Sequence, residues 1–154
     1  MNEYEQKIKE YMLENGIQGE HLTFEQSCHS VEAAAKAANV DPEDLVKNIC
    51  LVTDEGYLII AIVKGEDRVS TKRVGRALGI DPPKIATPEE ILAKSGYPVG
   101  GVPSFGYKGQ FLIDPRVMEK DSVYTGGGSS QALIKIPTRE LQKVNRGLVV
   151  RIRK

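Results

Sequence analysis

Two β-rich runs, residues 46–52 and 57–64, flank the short segment Thr53-Asp54-Glu55-Gly56. Apolar and β-branched residues on both sides of a Gly-containing turn predict a β-hairpin in the middle of the chain. The patterns around it are helical, so the hairpin restricts the fold to a mixed α/β class. Before it, Tyr4, Ile8, Tyr11 and Met12 recur at helical spacing over residues 2–15, and Gly16 suits the stop. Residues 21–25 form a short strand candidate. Ser30 caps a helix over 31–38, and Asp41-Pro42 opens a brief helical turn.

After the hairpin, Ser70 or Thr71 starts a helix that ends at Gly79. Thr87-Pro88-Glu89-Glu90 forms a capping box for another helix, which Gly96 ends. Strands are expected at 111–113, 122–125, 132–136 and 148–152, with Thr138 capping a further short helix. That gives about seven short strands and four or five helices. No linker, repeat or low-complexity tract divides the 154 residues, so 1–154 reads as one domain.

Charge bounds the partners. With 21 basic and 21 acidic residues, the chain has a formal net charge of zero. A protein that wraps nucleic acid is usually basic, so any contact with nucleic acid should be local and involve few phosphates. No apolar run approaches the ~20 residues of a membrane helix. The acidic, amphipathic start differs from a secretory signal, so the expected location is cytoplasmic, with the chain mature as written. Cys28 and Cys50 make neither a disulfide framework nor a zinc site. Cys50 lies in an apolar run and reads as a small buried hydrophobe. Cys28 and His29 are adjacent, and neighbours on a strand point to opposite faces, which argues against a nucleophile–base pair.

Two glycine-rich segments are expensive for ordinary connections: residues 96–106, containing Gly100 and Gly101, and Gly126-Gly127-Gly128-Ser129-Ser130. Glycine increases the entropy lost on folding but lets backbone approach a ligand. Either backbone amides face a substrate, or these are loose surface turns. Neither segment fits a P-loop or dinucleotide fingerprint. Lys47, at the start of a β-run, is either a solvated lysine or a partner for phosphate or carboxylate. Asp114, before Pro115, begins a turn or faces a site.

In order, PEDLVKNICLV, YLIIAIVKGEDRVSTKRVGRALG, TPEEILAKSGYPVGGVPSFG, FLIDPRV and VYTGGGSSQALIKI resemble the YbaK-like family over about residues 30–150. That family includes the editing domain inserted in bacterial prolyl-tRNA synthetases and its free-standing relatives. The resemblance implies an α/β (α+β) fold, a curved mixed sheet forming a partly open barrel flanked by helices. It also implies hydrolysis of the ester joining a small amino acid, such as alanine or cysteine, to the CCA end of tRNA, with a synthetase as a further potential partner. The essential family lysine falls on Lys47. The Gly-x-x-x-Pro loop falls on residues 100–104, where Ser104 takes the proline position and Pro103 precedes it. A histidine that some prolyl-specific members carry after the late glycines has no counterpart, the histidines here being His21 and His29.

On this reading Lys47, Gly100 and Gly101 are catalytic. Ser104, Asp114, Gly126, Gly127, Gly128 and Ser129 bind substrate. Amides around Gly100 and Gly101, helped by Gly126–Gly128, would polarise the ester carbonyl. No catalytic triad, metal-ligand set or cofactor is expected, and water, a ribose hydroxyl or a substrate thiol would drive cleavage. The alternative is a non-catalytic module that captures tRNA ends or a synthetase with the same pocket.

Overall fold

The computed structural model describes residues 2–154. Its centre is the expected hairpin, β2 (Val46–Val52) and β3 (Leu58–Lys64), paired antiparallel from Val46↔Lys64 to Val52↔Leu58. Every residue of β3 is buried. Leu58, Ile60 and Ile62 enter one core and Ile59, Ala61 and Val63 another, as the two-residue period of a strand requires. A strand apolar on both faces must be covered on both.

The covering elements come from both ends of the chain. The first core packs beneath α1 (Glu3–Glu14), through Ile8 and Met12, and α4 (Pro88–Ser95), through Ile91. The second lies under α3 (Thr71–Leu78), through Val74, and Ile152 near the C-terminus. A third, smaller cluster joins Ala34 and Ala35 of α2 (Val31–Ala38) to Leu45, Cys28 and Leu133.

Two sheets result. The mixed five-stranded sheet has the order β4-β2-β3-β5-β8, with β4 (Lys84–Ile85), β5 (Gln110–Ile113) and β8 (Leu148–Val149). β5 is parallel to β3 and β8 parallel to β5. The second sheet is antiparallel, β1-β7-β6, from β1 (Glu20–Thr23), β6 (Ser122–Gly126) and β7 (Ala132–Pro137). A single parallel bridge, Leu45 to Tyr124, links the sheets. The result is the expected partly open barrel flanked by helices.

The gap in the barrel follows from the pairing. β4 pairs only with Leu51 and Val52, so residues 46–50 of β2 have no strand ladder on their outer side among the described residues. The caps fall largely where the sequence placed them, including both arms of the Thr87–Glu90 capping box. Thr138 does not cap as expected. It lies just inside α6 (Thr138–Asn145) behind Pro137, and its hydroxyl donates to the Lys120 carbonyl across 2.6 Å. The expected strand at 148–152 pairs only over Leu148–Val149, because the backbone beyond it turns to Asp114. α5 (Pro115–Met118), capped by Asp114, and β4 are additions.

Candidate functional site

A cavity of about 220 Å³ opens where β2 and β6 separate. β2 contributes Lys47, Asn48 and Cys50, β6 contributes Tyr124, Thr125 and Gly126, and the 96–106 loop contributes Val99, Gly100 and Val102. Cys28, His29 and Ser30 come from the segment leading into α2, and Ala34, Leu45 and Leu133 supply alkyl surface.

Lys47 has no ion-pair partner among the described residues. Partial burial lowers its pKa, the Arg68 guanidinium lowers it further, and Asp67 only partly compensates. Asp67 is committed elsewhere, with its carboxylate 3.0 Å from Arg116. A partly desolvated ammonium near a second cation is unfavourable, and an anion beside it would stabilise it.

Two lining residues, Asn48 and Thr125, form a closed polar network with Ser104 behind them. Asn48 Nδ2 donates to Thr125 Oγ1 (2.8 Å) and to the Val102 carbonyl (2.9 Å), and Ser104 Oγ donates to Asn48 Oδ1 (2.6 Å). The two hydroxyls are 2.7 Å apart. Asn145 Nδ2 reaches the Ser104 carbonyl at 3.0 Å, tying α6 to the same point. Ser104 and Thr125 are almost wholly buried, so these bonds replace lost water and fix the loop on β2 and β6.

The two glycine segments touch each other backbone to backbone. A β-carbon on Gly101 would stand 2.6 Å from the Gly128 carbonyl carbon and 2.7 Å from Ser129 Cα, and one on Gly126 would strike the Val102 carbonyl. The Gly128 N–H donates to the Gly101 carbonyl at 2.8 Å. Gly128 (φ +102°) also lies under α1, 2.7 Å from the Tyr4 carbonyl oxygen by the same measure. Glycine is needed here for contact between loops.

The structure therefore divides the residues singled out in the sequence. Lys47, Gly100 and Gly126 line the cavity. Gly101, Gly127, Gly128, Ser104 and Ser129 stand around it without lining it. The Gly101 N–H donates to Pro98 O (3.1 Å) and the Gly127 N–H to Ala132 O (3.1 Å), so neither amide is free to polarise a carbonyl as expected. The Gly100 N–H has no partner among the described residues. Asp114 is fully buried away from the cavity. It accepts from the Ile152, Arg153 and Arg116 amides and pairs with the Arg153 guanidinium at 2.9 Å.

Sequence reasoning passed over Asn48 and Thr125 and argued against His29 as a base for Cys28. Cys28 and His29 both line the cavity from an irregular segment, so the alternation of a strand does not separate them. Burial raises the Cys28 thiol pKa and pushes that of Cys50 up to about 11. No cluster suited to a metal ion occurs among the described residues, and no helix of the structure is long and apolar enough to cross a membrane.

Residues 25–144 match the model of a family described as the aminoacyl-tRNA editing domain. YwhH of Bacillus subtilis (strain 168), an uncharacterized protein, is 24% identical over 122 residues, 78% of this chain and 77% of that one. A proline–tRNA ligase of Nitratidesulfovibrio vulgaris (strain DP4) is 32% identical over 81 residues, 53% of this chain. That match spans only 14% of the ligase. A solved structure described as "Crystal structure of a putative trans-editing enzyme for prolyl tRNA synthetase" has a TM-score of 0.92 at 22% identity, covering 100% of this chain and 99% of the other. At that identity the likeness establishes the fold.

Proposed function

Because this chain belongs to the aminoacyl-tRNA editing domain family, we propose that it hydrolyses the ester joining a small amino acid to the terminal ribose of a mischarged tRNA. The relation to proline–tRNA ligase favours tRNA for proline as the carrier and a synthetase as the functional partner. The need is physical: a synthetase pocket gains only ~1–3 kcal/mol from a methylene difference, so a second site must remove small errors.

The observation that carries this reading is Lys47, a partly desolvated ammonium that lines a small cavity and has no ion-pair partner among the described residues. At about 220 Å³ the cavity is smaller than the ~300 Å³ typical of the smallest drug-sized sites, so it suits one aminoacyl group with the nucleotide outside. Lys47 holds a phosphate of the CCA end. The Gly100 N–H, without a partner among the described residues, donates to the carbonyl oxygen as negative charge develops on it. Water attacks the carbonyl carbon, the bond to the ribose oxygen breaks, and that oxygen leaves with a proton. Gly101, Gly126, Gly127, Gly128, Ser129 and Ser104 contribute by holding the two loops in register.

Purified protein assayed against tRNA mischarged with alanine, cysteine, serine or threonine tests the proposal. Release of at least one of the four, with correctly charged tRNA spared, is expected. Binding of a CCA-ended RNA without hydrolysis of any ester contradicts it and leaves a module that only captures tRNA ends.

A further inference from the structure

His29 enters the cavity from the segment that precedes α2, and several bonds hold that segment in place. The Phe24 N–H donates to the Gln131 carbonyl at 2.8 Å, Gln131 Nε2 to the Glu25 carbonyl at 3.0 Å, and the Cys28 N–H to the Ser130 carbonyl. On its other side, Ser30 Oγ accepts from the Ala33 N–H at 3.0 Å and caps the helix. The segment is thus fixed between the second glycine segment and α2.

The imidazole itself is exposed, and neither ring nitrogen has a partner among the described residues. His21 differs, with Nε2 2.8 Å from the Gly127 carbonyl. The His29 ring lies on Gly100: a β-carbon built there would stand 3.1 Å from Nδ1 and 3.5 Å from Cε1. Gly100, at φ +89°, is also the residue with the free N–H. A carbonyl held by that amide would lie beside the imidazole.

The other titratable side chains lining the cavity are Cys28, Lys47, Cys50 and Tyr124; α2 and the 96–106 loop contribute none. Burial keeps the two thiols protonated. Imidazole is the side chain whose charge ordinarily changes between pH 5 and 8.

We infer that His29 is a catalytic base of this site, taking a proton from the attacking water and returning it to the departing ribose oxygen. This rests on the hydrolysis proposed above. As the water O–H bond breaks, the new bond to the carbonyl carbon forms. The tetrahedral intermediate then expels the ribose oxygen, which receives the same proton, so no further reactant is required.

The test is single-turnover deacylation by the wild-type chain and by His29→Gln and His29→Ala, on one substrate from pH 5 to 8. Wild-type activity should rise with pH across this range. Both variants should be slower by about 100-fold or more, the low end for acid–base catalysis, and should lack that rise. Glutamine keeps bulk against Gly100, so a merely space-filling histidine would leave His29→Gln near wild type. His29→Gln within about threefold of wild type, with the same pH dependence, overturns the inference while the hydrolase reading stands. A wild-type chain that hydrolyses none of the esters overturns both.

Discussion

Ser104 donates its hydroxyl proton to the carboxamide oxygen of Asn48 across 2.6 Å, joining residues 56 positions apart in the chain. Through this bond the 96–106 loop is fastened to the β2 strand that carries Lys47. Ser104→Ala removes the donor to the half-buried Asn48 oxygen and a partner of the buried Thr125 hydroxyl, which costs roughly 1–3 kcal/mol. Urea unfolding should show the loss as a lower midpoint with an unchanged slope. A midpoint equal to wild type would show that the network does not hold the loop.

Gly101→Ala separates packing from catalysis. The added methyl meets the Gly128–Ser129 backbone, while the Gly101 N–H is already bound to Pro98. Overpacking of this kind costs roughly 1–3 kcal/mol, or about 2–10 °C in melting temperature for a domain of this size. The folded fraction should keep most of its activity. A variant that melts normally but loses its rate would return Gly101 to the reacting atoms.

Asp114 makes acid stability predictable. Burial alone would raise its pKa, but the Ile152, Arg116 and Arg153 amides and the Arg153 guanidinium outweigh it and hold the pKa below the ordinary carboxylate value. A carboxylate depressed in the folded state stabilises the fold above its unfolded pKa of about 3.9, and that stability is lost as pH falls through the folded value. Asp114→Asn should therefore be less stable than wild type at pH 7, with the gap closing below about pH 4. Unfolding midpoints measured from pH 7 to pH 2.5 check this. A gap that stays constant would assign the effect to shape and not to charge.

The hairpin and most helix caps were legible because their signals are local. Thr87 and Glu90 satisfy each other's backbone within one turn, and Val46–Val52 faces Leu58–Lys64 across a short turn. β4 was not legible, since Lys84 and Ile85 are both exposed and are made a strand only by main-chain bonds to Leu51 and Val52. The glycines stood out by composition, but their purpose did not. That Gly101 rests on Ser129 is a contact between loops, invisible to local pattern. Asn48 and Thr125 are ordinary polar residues in strands until the fold brings them within 2.8 Å. His29 was set aside with Cys28 on an argument from strand alternation, and its segment is not a strand.

Lys47 carries the central claim. It lines the cavity from β2 and has no ion-pair partner among the described residues, so Lys47→Ala removes the anion contact without breaking a pair that supports the fold. The most direct test is single-turnover deacylation of alanine-mischarged tRNA for proline by wild type and Lys47→Ala, with circular dichroism and melting recorded on both. The account predicts a rate lower by about 100-fold, equivalent to roughly 3 kcal/mol, with spectrum and melting temperature unchanged. A well-folded Lys47→Ala protein that hydrolyses this ester at close to the wild-type rate would contradict it.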